Sequence, residues 1–388
     1  MLQEVAPLWR LAFRAGFLFA AMFAVAAVSR WLVWLLYPSS WDAAMSPHWW
    51  HAHEMIFGFA MPVVAGFLLS AVATWTGLPG TTGTPLKILF GLWLVARAIV
   101  WFLPSAMLLA WVTEMLFVAL VMFELGRRVW MKRQWRNMLF LPVLLALAAL
   151  SSASYYVADN PLLSSRVHYG ALWMIAVLIV IIGGRVIPLF TGNRLGLKIV
   201  PLPAWVEVSA IASITVIALV SALGPAPPFE PWFRILCALS LLLHLYRSHR
   251  WMGWKTTGEP LLWSMHLSYL CIPLSLLGLA IAGDSAIFTR NIMHLLAIGA
   301  VGGMIVSMMS RVSLGHTGRP MEVPASLAWA FALVFFAAAA RVFGPMIAPA
   351  HALLAWQLSA ALWILAFAIF LYRYFPILSQ PRADGKPG

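Results

Sequence analysis

Apolar stretches alternate along the chain with short breaks rich in proline, glycine and charge. A bilayer core is about 30 Å thick, and a helix needs roughly 20 apolar residues to cross it. Twelve stretches fit: 11–37, 53–74, 85–103, 106–126, 136–157, 166–190, 203–223, 231–247, 260–282, 287–310, 324–343 and 351–373. They are long and lack the period-two alternation of a barrel strand, so the pattern predicts helices. Residues 1–380 are expected to form a single transmembrane domain. The polar segment 381–388 is expected to be a disordered tail.

Composition sharpens this picture. Hydrophobic residues make up 63% of the 388 and charged residues 10%, against roughly 45–50% and about 25% in a soluble domain. Mean hydropathy is +0.90. A soluble fold cannot hide that much apolar surface, which excludes soluble enzymes, nucleic-acid-binding domains and disordered chains. The net charge of +13 is therefore not read as a nucleic-acid footprint. In a membrane protein, Lys and Arg concentrate in cytoplasmic loops. With both termini on one side, 18 of the 25 basic residues fall on that side and four (Arg166, Arg234, Arg290, Arg341) on the other. Arg30, Arg97 and Arg185 lie within spans. This bias predicts an N-in, C-in topology. The start of the second span then faces outward, toward the periplasm in a Gram-negative inner membrane. Cys237 and Cys271 form no CxxC pair, which argues against a disulfide framework or thiolate metal site. The first run is too long for a cleavable signal peptide and has no small-residue cleavage site.

Three spans share a pattern. His53, His168 and His294 are each followed 22 residues later by an aromatic-Thr-Gly triplet: Trp75-Thr76-Gly77, Phe190-Thr191-Gly192 and His316-Thr317-Gly318. At 1.5 Å per residue the interval covers roughly 33 Å, from one membrane face to the other. These are spans 2, 6 and 10, four helices apart. Trp111, Trp232 and Trp356 precede Arg127, Arg247 and Arg373 with the same period, and Arg97 and Arg341 fall at equivalent places in spans 3 and 11. The chain is thus expected to be all-α, with three pseudo-repeated four-helix arcs at roughly 1–130, 131–255 and 256–380.

Twelve helices with histidines on spans 2, 6 and 10 resemble the catalytic subunits of haem-copper oxidases and nitric oxide reductases. That family places two more metal-ligating histidines on span 7. Here span 7 has none, only Glu207, and span 10 carries His294 alone. A standard oxygen-reducing binuclear centre is not expected.

A denser resemblance runs through WHAHEMIFGF (Trp50 to Phe59), GGRVIPLFTGN (Gly183 to Asn193) and MSRVSLGHTGR (Met309 to Arg319). The Trp263, His266 and Tyr269 pattern and the stretch from His294 to Gly299 belong with them. Together they resemble the NnrS family. The first span departs from it, with Phe13-Arg14-Ala15-Gly16-Phe17 where the family has a Phe-Arg-Pro-Phe-Phe type of start. The resemblance implies a multi-pass protein of the bacterial inner membrane that contains haem, expected to be b-type, and copper. It also implies protection against nitric oxide, linked to denitrification and nitrosative stress.

Ionisable groups inside a membrane are functional candidates because their burial is costly, and neutral imidazole is the commonest metal ligand. His51, His53, His168 and His294 are the candidate cofactor ligands. The alternative for the first two is an interfacial, capping role. His51 and His53, two apart, cannot face the same way on a helix. His266, His316 and His351 are further metal candidates, and His266 reads equally as a hydrogen-bonding partner between helices. His244 is a weaker candidate, His249 reads as a surface residue, and His48 reads as a surface residue that could take copper. Glu54 and Arg185 are the catalytic candidates. Glu54 reads as a helix cap, as an acceptor orienting a His ring or as a proton inlet. Arg185 needs a partner, for which Glu207 and a haem propionate are the options. Arg97 and Glu114 read as a structural pair.

Three functions follow. The first is a nitric-oxide-reductase-like redox protein that binds and detoxifies NO. With no CxxCH and no fused cytochrome, its electrons would come from quinol or a partner cytochrome. The second is a non-catalytic haem or copper protein for NO sensing or metal handling. The third is a twelve-helix transporter, although carriers usually show two-fold or inverted repeats. Lipids, NO and an electron donor are the expected partners, and nucleic acid is not.

Overall fold

The structure is a computed structural model that describes residues 5–43, 45–283 and 285–386. Among the described residues the regular elements are all helical. Twelve long helices follow in order: α1 (Ala12–Leu36), α2 (Pro47–Thr76), α3 (Gly83–Phe102), α4 (Met107–Met131), α5 (Phe140–Tyr156), α6 (Pro161–Leu195), α7 (Ala204–Leu223), α8 (Glu230–His249), α9 (Pro260–Ile281), α10 (Ala286–His316), α11 (Ala325–Ile347) and α12 (Ala352–Ser379). Eleven are long and apolar enough to cross a membrane. The exception is α8, which holds Glu230, Arg234 and Arg247 within its 20 residues. One-turn helices that begin with proline, Pro104–Ala106, Pro227–Phe229 and Pro349–His351, join α3 to α4, α7 to α8 and α11 to α12.

Local chemistry sets the helix starts. The Ser46 hydroxyl accepts from the Trp49 amide at 3.3 Å and Pro47 opens α2, as capping and proline preference require. The helix thus begins six residues before the apolar run, and Glu54 lies two turns inside it rather than at its N-terminus. Asn160 Oδ1 accepts from the Leu162 and Leu163 amides at 3.1 Å and starts α6.

Two helices change form midway. In α2, residues Glu54–Ala60 are π-helical; in α10, Leu295–Gly302 are. Each wide segment starts at the residue after a histidine, His53 or His294. The return to α-helix in α2 coincides with Pro62. Proline lacks an N–H and leaves the carbonyl four residues back without its helical donor. That carbonyl, of Gly58, accepts instead from Trp93 Nε1 at 3.0 Å. α6, which carries His168, stays α-helical from Pro161 to Leu195.

The chain forms two compact units. One comprises Met1–Ser164, Met309–Glu322 and Phe367–Gly388, the other Ser165–Met308 and Val323–Ala366. In the first, α1 crosses α2 at Gly16 and Gly66. A Cβ on Gly16 would lie 2.6 Å from the Pro62 carbonyl oxygen, so the two backbones can approach only without side chains there. Arg14 donates to the carbonyls of Ile377 (3.3 Å), Leu378 (3.1 Å) and Gln380 (2.7 Å), which brings the start of α1 to the end of α12. Residues expected in the tail dock on the end of α10. Arg382 donates to the His316 carbonyl at 2.8 Å, and the Ala383 amide to that of Thr317 at 3.0 Å. Residues 387 and 388 lie outside the described residues. In the second unit α8 packs along α9, and Ser359 ties α12 to α11 by donating to the Ala337 carbonyl at 2.8 Å.

Candidate functional site

In the first unit, α2 to α5 converge on His53. Its ring is buried, stacked on Trp49 at 4.4 Å and edged by Tyr155 at 4.9 Å. Trp49 is fixed by its Nε1–H to the Ser154 carbonyl, 2.8 Å. His53 Nδ1 lies 3.2 Å from Glu54 Oε1, and Nε2 lies 3.5 Å from Glu114 Oε1. Arg97 spans both carboxylates, with Nη1 2.5 Å from Glu54 and Nη2 donating to Glu114. Ser151 also donates to Glu114, Tyr155 reaches it at 3.5 Å, and Trp101 Nε1 donates to Glu54 at 3.2 Å. All four ionisable groups are buried. Such burial is tolerated only with paired charges and filled hydrogen bonds. Arg97 and Glu114 are thus paired, as expected, with Glu54 as an unforeseen third member.

His51 points elsewhere, as the two-residue offset requires. Its ring stacks on Trp31 at 4.2 Å, and exposed His48 meets the edge of the same indole at 5.9 Å. His316 is also in this unit, its ring 5.5 Å from Phe13.

The second unit holds the other candidates. His294 Nδ1 is 2.7 Å from the Arg290 carbonyl oxygen. A carbonyl only accepts, so Nδ1 carries the proton and Nε2 the lone pair. Metal-ligating histidines are held in this way. The neighbouring Asn291 accepts from Arg341 at 2.9 Å, and Arg341 lies over Trp356 at 5.0 Å. His168 is buried. His266 Nε2 is 2.9 Å from the Thr191 hydroxyl, which ties α9 to α6; of its two readings, this geometry is the helix-to-helix hydrogen bond. His351 is exposed at the end of its proline turn.

Glu207 is held by Arg247, at 2.5 and 3.1 Å. Arg247 also donates to the Tyr269 hydroxyl at 2.6 Å and the Val180 carbonyl at 2.9 Å. That hydroxyl, accepting from Arg247, is left to donate to His244 Nδ1 at 2.6 Å. Gly184 permits the arrangement, since a Cβ there would overlap the guanidinium. Among the described residues no three His, Cys, Asp or Glu side chains gather into a group able to hold a metal.

Long apolar helices with buried ion pairs and histidines at two helix irregularities define a multi-pass α-helical membrane protein. Curated proteins give no match to the chain. Residues 7–382 match the NnrS protein family, and the chain belongs to it.

Proposed function

We propose that the chain is a haem-binding protein of the bacterial inner membrane that binds and detoxifies nitric oxide as a nitric-oxide-reductase-like redox protein. Family membership supplies the link to the nitric oxide response. The observation that carries the haem reading is the change from α to π helix directly after His53 and after His294. Wide helical turns concentrate at functional sites, and these two fall on the helices that the His-to-Thr-Gly repeat pairs.

His294 fits an iron ligand best, since the Arg290 carbonyl holds its other nitrogen. His53 fits less directly, because both of its nitrogens face carboxylates; as a ligand it must exchange Glu114 for the metal. His51 and His168 complete the proposed set. Copper is proposed as the second metal, with His51 and His48, whose rings both meet Trp31, as candidate ligands. Haem would supply an iron that takes NO and passes single electrons, drawn from quinol or a cytochrome. Glu54 orients His53 and is itself held by Arg97. Arg185 is proposed to meet a haem propionate.

The bonds from Arg14 to the end of α12 support an even number of crossings, hence twelve with α8 included, and the charge bias supports N-in, C-in. The engagement of both His53 nitrogens by carboxylates favours a second reading, a haem protein that binds NO without turnover. NO loss beyond one equivalent per haem under a reductant separates the two.

The test is the optical spectrum of detergent-purified protein as isolated, reduced, and reduced with NO. A Soret band that shifts with NO and is lost or reshaped in His294→Ala is expected. Folded protein without a Soret band overturns the haem reading and revives the transporter.

A further inference from the structure

We propose that the first unit carries a binding site for a phosphate group, that of an anionic lipid headgroup, at the membrane face where the start of α1 and the end of α12 meet. Three distant segments bring four arginines together there: Arg10 and Arg14 around the start of α1, Arg319 just after α10, and Arg382 beyond α12. Arg10, Arg319 and Arg382 all stand close enough to Arg14 for their charges to oppose its own. Arg14 and Arg382 are fixed in place, the first by three carbonyls of residues 377–380, the second by the His316 carbonyl and Asp384. Asp384, 2.6 Å from Arg382, offsets one of the four charges. Arg319 points to what is missing. Its Nη1 is buried and has no hydrogen-bond partner among the described residues.

A crowded guanidinium cluster with a buried N–H that lacks an acceptor calls for an anion with several acceptor oxygens. Phosphate meets that need, and guanidinium forks match its geometry. Basic pockets between membrane helices on the cytoplasmic side are where phosphate headgroups bind. The site involves none of the proposed haem ligands, so it stands or falls apart from the haem reading.

The test compares wild type, Arg319→Gln and Arg10→Gln, each in phosphatidylcholine vesicles with and without phosphatidylglycerol. Retained lipid is counted by native mass spectrometry after detergent extraction, and the unfolding midpoint is recorded. Wild type should retain phosphatidylglycerol and unfold at a higher temperature with it. Both variants should lose the retained lipid and the shift. If Arg319→Gln does not fold, the more peripheral Arg10→Gln carries the comparison. Inorganic phosphate is added to lipid-free detergent samples as a further arm. A midpoint shift there that the variants lose assigns the same site to a soluble phosphate; a response to phosphatidylglycerol alone assigns it to lipid. Equal behaviour with and without phosphatidylglycerol and phosphate, or full lipid retention in the variants, overturns the proposal.

Discussion

Arg97 stands between carboxylates from two other helices, and its removal exposes how strongly the cluster depends on it. Arg97→Ala leaves Glu54 and Glu114 buried without their cation, a loss of about 3–5 kcal/mol by the usual cost of breaking a buried pair. Glu114→Gln keeps the shape and an acceptor, so a smaller loss is expected. Thermal unfolding in detergent should rank Arg97→Ala well below Glu114→Gln; the reverse order would show that Arg97 is not the centre of the set. The membrane depth of these residues was legible in the sequence, because position along an apolar run gives depth. Their direction around the helix was not. A cap therefore stays among the readings of Glu54, and nothing in the pattern points from Glu207 to Arg247, near the end of α8, which holds it. Tyr155 and Ser151 carried no signal at all, being ordinary polar residues near the end of an apolar run.

Among the elements, the wide turns of α2 and α10 separate pattern from structure. α-helix and π-helix draw on the same apolar residues, so hydropathy locates the span and misses the change within it. Only Pro62 and the glycines marked these helices as unusual. Gly58 and Gly299 occupy the same place, five residues after His53 and His294. A Cβ would lie 2.5 Å from Phe23 at the first and 2.7 Å from Cys271 Sγ at the second. Gly58→Ala and Gly299→Ala should each lower stability by about 1–3 kcal/mol, the range for overpacking. If the π segments also set the histidines, both substitutions should perturb the haem spectrum, while Gly91→Ala, with open space around it, should leave it unchanged. A Gly58→Ala protein with unaltered stability would mean that the α1–α2 contact yields easily.

At the scale of the whole molecule, the count of crossings is the central expectation. Reporter fusions after Lys255 should report the cytoplasmic side and fusions in the turn before Glu230 the opposite side. Matching signals would mean that α8 does not cross. The tail adds a pH-dependent element. The hydrogen bond from Arg382, with a smaller contribution from the Lys386 amide, holds the Asp384 carboxyl well below the usual carboxylate range. A lowered value means that the contact contributes fully above the ordinary carboxylate pKa of about 3.9 and fades as pH falls through the lowered one. The difference in unfolding midpoint between wild type and Asp384→Asn should thus be constant at neutral pH and shrink in acid. Composition alone reads 381–388 as a disordered tail. Its polarity was legible, but its docking was not, since the acceptors belong to carbonyls more than 60 residues away.

The contacts from Arg14 and Arg382 also order events in time. Arg14 emerges more than 360 residues before its acceptors at 377–380. At a synthesis rate of about 5–20 residues per second, the gap is on the order of 20 to 70 s. During that interval the first unit waits without these acceptors for Arg14 and without the contacts that Arg382 and Ala383 make at the end of α10. The second unit, whose sequence is complete once α12 is half made, can close before the first. Assembly therefore runs against the order of synthesis, and a holding factor that protects early membrane helices has its longest task at the N-terminal end of this chain.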